Sequence, residues 1–126
     1  MEINIATNSP EPVYEQIVRQ VQHGVAAGEL KPGDPLPTVR QLADDLQINR
    51  NTVARAYKLL EDRGVILTAG RRGTFVRDEA AREVHRAKSG RAERAMRQTI
   101  GMLLGDGMTP AEVSALFKNV LARVKP

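Results

Sequence analysis

The amino-acid sequence predicts a mainly α-helical fold with one small β-hairpin and a separate helical tail. Apolar residues recur at three- and four-residue spacing in five stretches, the signature of amphipathic helices. Thr38, Asn49 and Thr109 stand directly before three of these stretches, where helix N-caps belong. Two short runs containing β-branched residues flank a glycine-bearing turn at residues 69–73, which reads as a hairpin.

The first helix is expected within EPVYEQIVRQVQHGVAAGEL, residues 11–30. Val13, Ile17, Val21 and Val25 recur every four residues, and Tyr14, Val18 and Ala26 widen the stripe. Pro12 suits a first helical turn and Gly28 the C-terminal cap. KPGDPLP, residues 31–37, is expected as a rigid connector, because its three prolines exclude helix. Thr38 then opens a second helix, with Gln41 completing a capping box and Val39, Leu42, Ala43 and Leu46 on one apolar face. After the turn QINR, with Ile48 expected beneath it, a third helix starts behind Asn49. Its stripe is Val53, Ala56, Tyr57 and Leu60, spaced i, i+3, i+4, i+7, and Gly64 ends it. Its front, residues 49–52, is wholly polar. VILT and TFVR then enclose AGRRG. Helix, helix, short turn, helix and hairpin, in that order, make the winged form of the helix-turn-helix, assigned to residues 1–77.

Residues 78–126 change in composition and are expected as a helical dimerisation tail. DEAAREVHRAKSGRAERAMRQTIGMLLGDG reads as one long helix, with Gly90 a point where it can bend. Its first half has little apolar surface beyond Val84 and Ala87; its second half gathers Met96, Ile100, Leu103 and Leu104. Thr109, Pro110 and Glu112 restart a helix through a capping box and a proline in the first turn. The stripe that follows, Val113, Leu116, Phe117, Val120, Leu121 and Val124, is the most regular in the chain.

Composition narrows the function. The 126 residues suit one compact domain or a small domain with an appendage, and 41% apolar content suffices for a core. The absence of cysteine excludes disulfides, thiolate metal sites and cysteine nucleophiles. His23 and His85 are isolated, no metal-ligand spacing or phosphate loop occurs, and GRRG is too short a glycine motif for nucleotide binding. Neither an enzyme nor a metal or cofactor is therefore expected. Aromatic residues reach only 3%, with no Trp, which argues against stacking platforms for single-stranded nucleic acid. The sequence opens without a signal-peptide pattern, and no apolar run approaches the roughly 20 residues of a spanning helix. A soluble, cytoplasmic chain with no membrane association is expected.

The net charge of +4 is unevenly placed. Residues 49–77 hold seven basic side chains (Arg50, Arg55, Lys58, Arg63, Arg71, Arg72 and Arg77) against two acidic ones (Glu61 and Asp62), a local excess larger than the net charge of the whole chain. Third helix and hairpin are the parts that a winged helix lays on a duplex, and Lys and Arg supply most sequence-independent affinity for phosphates. Double-stranded DNA is thus the expected partner. The first turn of the third helix would enter the major groove, where Arg reads guanine and Asn reads adenine through paired hydrogen bonds; this selects Asn49, Arg50, Asn51 and Thr52. Thr38 and Arg40, at the start of the second helix, would lie near the phosphate backbone. Arg71, Arg72 and Gly73 suit a minor groove, and Arg55 and Lys58 face phosphates or solvent.

At these residues the chain resembles the winged-helix domain of the GntR family of bacterial transcription regulators. The family pattern Pro, Ser/Thr, x-Arg, x-Leu-Ala stands here as Pro37, Thr38, Arg40, Leu42 and Ala43. Ser-Arg-x-Thr-Val appears as Asn49, Arg50, Asn51, Thr52 and Val53, with Asn replacing Ser, and Leu-Glu-x-x-Gly as Leu60, Glu61 and Gly64. The wing pattern Gly-x-Gly-Thr-Phe-Val is matched from its second position on by Arg72, Gly73, Thr74, Phe75 and Val76. The resemblance covers residues 11–77 and implies DNA contacts from Arg40, Arg50, Thr52 and Gly73. Two departures stand out. Arg71 occupies the first wing glycine position, with Gly70 adjacent. Ala54 stands where many members carry Arg, and Arg55 follows one place later, about 100° further round the helix.

Large members of the family add a ligand-binding domain, whereas 49 residues (126 minus 77) follow Arg77. The short two-helix tail resembles the YtrA-type branch, and the resemblance implies dimerisation. Physical reasoning points the same way, since two helices with one apolar face each cannot close a core alone. A two-fold dimer would read a two-fold operator, and a repressor is expected. The arginines of residues 82–97, interleaved with glutamates, read as a solvated face, with Glu93 and Arg97 as an i,i+4 pair. A rival reading is a winged helix that contacts protein or RNA, with weak, sequence-insensitive DNA binding and no need for Arg50. A further partner would be an unidentified small-molecule effector between tail and winged helix, though no residue cluster marks such a pocket.

Overall fold

Helix α1 (Val13–Ala26) buries Ile17, Val18, Val21 and Val25 along its apolar stripe. Pro12 is its N-cap rather than part of its first turn, and Ala26 faces solvent. The computed structural model describes residues 1–124. Ahead of α1 lies a segment that forms no helix or strand, yet it is tied down. The Gln16 side-chain oxygen, buried in α1, accepts from the Ala6 amide at 2.8 Å, and its nitrogen donates to the carbonyls of Ala6 and Glu11 at 3.0 and 2.9 Å. Gln20 holds both backbone groups of Asn4 in the same way. With these polar groups satisfied, Ile3 joins the core.

The proline-rich connector is more than a connector. Pro35–Leu36 form strand β1, which pairs antiparallel with β3 (Thr74–Val76), and β3 pairs with β2 (Ile66–Thr68). The expected hairpin is therefore two strands of a three-stranded sheet in the order β1-β3-β2. Proline is tolerated in β1 because an edge strand leaves one side of its backbone unpaired.

Helix α2 (Val39–Leu46) begins at the expected capping box. Thr38 Oγ1 accepts from the Gln41 amide and Gln41 Oε1 from the Thr38 amide, both at 3.0 Å. A left-handed turn at Gln47 leads to helix α3 (Arg50–Asp62), whose expected stripe of Val53, Ala56, Tyr57 and Leu60 is buried throughout. Ile48 is half-buried, packed against that core. At the end of α3, Gly64 takes φ +76°, a left-handed turn that favours glycine, and the Val65 amide reaches back to the Leu60 carbonyl.

Helix α4 (Ala80–Gly105) is helical through Gly90 without a break. Its Ala80 and Val84 are buried in the same cluster as α1 and α3, so the first compact unit ends at Ala87 rather than at Arg77, where the composition changes. The second unit starts at Lys88 and contains the rest of α4 and helix α5 (Pro110–Arg123), opened by the capping box of Thr109 and Glu112. Among its described residues none is buried.

Candidate nucleic-acid interface

Three parts of the first unit carry the candidate side chains: the start of α2, the outer face of α3 and the wing, residues 66–76. Tyr57 locks the first two together. Its ring is buried and its hydroxyl donates to the Pro37 carbonyl at 2.6 Å, one residue before the Thr38 cap. Burial raises the Tyr57 pKa well above its ordinary value, so the hydroxyl remains a neutral donor. The wing is tied to α3 by the Thr68 hydroxyl, which donates to the Glu61 carboxylate and lies 3.3 Å from the Thr74 hydroxyl. Glu61 stands in the Leu-Glu-x-x-Gly pattern, but no local spacing in the sequence points from it to Thr68.

At the front of α3, Asn49 Oδ1 accepts from the Asn51 amide at 2.7 Å. Asn49 thus spends its oxygen on capping, while Arg50 and Asn51 are exposed and Thr52 is half-buried. The wing tip is a 3-10 turn, Gly70–Arg72, closed by the Ala69 amide on the Gly73 carbonyl at 2.8 Å. Gly73 has φ +103°, a conformation that a side chain would strain, and it leaves Arg71 and Arg72 on the exposed tip. Thr38, Lys58 and Gly73, from three separate elements, line one groove of about 500 Å³.

The structure also sorts the seven basic residues of 49–77. Arg63 donates to Gln22 of α1 at 2.9 Å, and Arg77 pairs with Glu79 at 2.9 Å. Arg55 lies with its guanidinium 3.9 Å from the centroid of the Tyr14 ring, a cation–π stack on α1. Arg50, Lys58, Arg71 and Arg72 remain, joined by Arg40 from α2. All five are exposed, and none forms an ion pair among the described residues, whereas Glu11, Glu79, Glu83 and Glu93 hold Arg19, Arg77, Arg86 and Arg97. Unpaired cations on one scaffold are a surface for a polyanion.

In the second unit, Met96, Ile100, Leu103, Val113, Leu116, Phe117 and Val120 line an apolar groove of about 550 Å³ between the end of α4 and α5. Leu103 and Val113 are half-buried, and Leu104, Leu121 and Val124 are exposed. Among the described residues no group of three or more His, Cys, Asp or Glu is placed to hold a metal, and no helix is long and apolar enough to cross a membrane.

Known proteins share this arrangement. Residues 13–76 match the family described as bacterial regulatory proteins, gntR family. The chain is 36% identical over 123 residues to the HTH-type transcriptional repressor YtrA of Bacillus subtilis, which covers 98% of this chain and 95% of that relative. Among solved structures it is similar to a transcriptional regulator from Oenococcus oeni, with 34% identity and a TM-score of 0.75 over 93% of this chain and 97% of that one. It is also similar to YtrA from Sulfolobus acidocaldarius, a GntR-family transcription factor, with 34% identity and a TM-score of 0.57 over 97% and 98%.

Proposed function

This chain belongs to the GntR family of bacterial regulatory proteins, and we propose that it is a sequence-specific, DNA-binding transcription repressor, acting in the cytoplasm as a homodimer and catalysing no reaction. The observation that carries the reading is the set of five exposed, unpaired cations, Arg40, Arg50, Lys58, Arg71 and Arg72, on three elements packed over one core. Arg50 and Asn51, with Thr52 beside them, meet base edges in the major groove. Asn49 caps the helix that presents them. Lys58 neutralises a phosphate, as does Arg40 beside the Thr38-capped start of α2. Arg71 and Arg72 enter a minor groove, which the bare backbone at Gly73 lets them approach closely. Arg55 supports α3 from its stack on Tyr14.

The apolar faces of α5 and the end of α4 supply the dimer, because a helical hairpin with no buried residue among residues 88–124 needs a further surface to cover it. The sense of regulation follows the Bacillus subtilis relative, whose name is that of a repressor. Selection of bound fragments from random DNA tests the whole reading. It should return two-fold related half-sites about one helical turn, or a multiple, apart. On the selected duplex Arg50→Ala should cost about 1–3 kcal/mol and relax selectivity. Equal affinity of the two proteins for that duplex would overturn it.

A further inference from the structure

We propose that the methyl group of Ala54 reads the 5-methyl group of a thymine in each half-site, an inference that rests on the DNA reading above. Ala54 follows Arg50 by four residues and precedes Lys58 by four, so it lies between them on one helix face. It is exposed. The long side chains on its own face are Arg50 and Lys58, one turn to either side, while the adjacent Arg55 stacks on Tyr14. Ala54 lines the groove between α2 and α3 together with Val39 and Tyr57. The Tyr57 hydroxyl is already given to the Pro37 carbonyl, so it is not free to read a base. Glu61 also lines the groove, with its carboxylate held by the Thr68 hydroxyl.

An apolar spot between two cations discriminates among bases by what it cannot do. Pressed against a carbonyl, ring nitrogen or amino group, it would leave that group dehydrated and without a partner. Thymine alone presents an apolar group on the major-groove edge. The flanking Arg50 and Lys58 hold the duplex while the methyl groups of Ala54 and thymine exclude water from each other.

The test uses the proposed dimer of this chain and the duplex it selects, with each thymine replaced in turn by deoxyuridine in both half-sites. One position should lose about fourfold in affinity per half-site, the worth of one buried methyl. Ala54→Gly should bind the thymine and deoxyuridine duplexes equally, and Thr52→Ser, which removes the rival methyl, should keep the full difference. If no duplex is selected at all, the operator reading falls and this inference with it. If duplexes are selected but every deoxyuridine exchange is silent, the inference alone falls. It is also overturned if Ala54→Gly keeps the difference or Thr52→Ser abolishes it. The quantity compared is the ratio of thymine to deoxyuridine affinity within each protein, so a general loss of affinity where Ala54→Gly weakens α3 cancels.

Discussion

Helices α3 and α5 carry stripes of the same spacing, each behind a polar side-chain N-cap, yet they end in opposite states. In α3, Val53, Ala56 and Leu60 have no accessible surface, whereas in α5 Phe117 is 46% and Leu121 61% exposed. The difference lies in the company each helix keeps. Helix α3 packs against α1, α2 and β2, which approach it from several sides. Within its own unit α5 has only the end of α4, and a pair of helices can shield a single seam. An apolar stripe therefore declares that a face needs cover. Whether the same chain provides that cover depends on how many elements surround the helix.

The largest effect should come from the enclosed side of this contrast. Leu60→Ala removes a fully buried side chain from the centre of the first unit and should destabilise it by about 2–5 kcal/mol in urea titrations. The same truncation at Leu116 should leave that unfolding transition in place. Next comes the open side. Phe117→Asp puts a charge into the apolar face proposed to meet the second copy, and sedimentation should show monomers with the helical signal of the first unit retained. Operator affinity should then drop about a hundredfold or more, since the two half-sites are no longer bound together. A dimer that persists would place the seam elsewhere.

A smaller effect concerns the lock between α2 and α3. Tyr57→Phe removes the hydroxyl bonded to Pro37, at a cost of about 1 kcal/mol. Burial raises the Tyr57 pKa, so the folded chain keeps a proton that the unfolded chain releases above about pH 10. Its contribution is full below that value and is lost as pH rises past it. Melting temperatures taken between about pH 8 and 11 should fall less steeply for Tyr57→Phe than for the native chain; equal slopes would absolve Tyr57. The smallest effect belongs to a single phosphate contact. Lys58→Gln should weaken binding to all sequences alike and lower the logarithmic salt slope by about one, and an unchanged slope would remove Lys58 from the phosphate contacts.

The helices were legible, as were the caps of α2, α3 and α5. The boxes of Thr38 with Gln41 and of Thr109 with Glu112, and the buried faces of α2 and α3, follow from contacts three or four residues apart, so local order in the chain suffices to determine them. The paired strands around residues 69–73 were legible for the same reason. Strand β1 was not, because two residues among prolines become a strand only when β3, far along the chain, lies beside them. The clamp of Gln16 and Gln20 on residues 4–6 and the brace from Glu61 to Thr68 likewise join parts whose meeting no local pattern announces.

The candidate site divides along the same line. By itself the sequence determined where positive charge is concentrated and which polar turn leads α3, because both are properties of short stretches. Only the tertiary structure decided that Arg55 and Arg63 are engaged by Tyr14 and Gln22 while Arg40, Arg50, Lys58, Arg71 and Arg72 stay unpaired. A cation's availability depends on which acceptor or ring the packing of other elements brings within a few ångströms, and spacing along one element does not contain that distance.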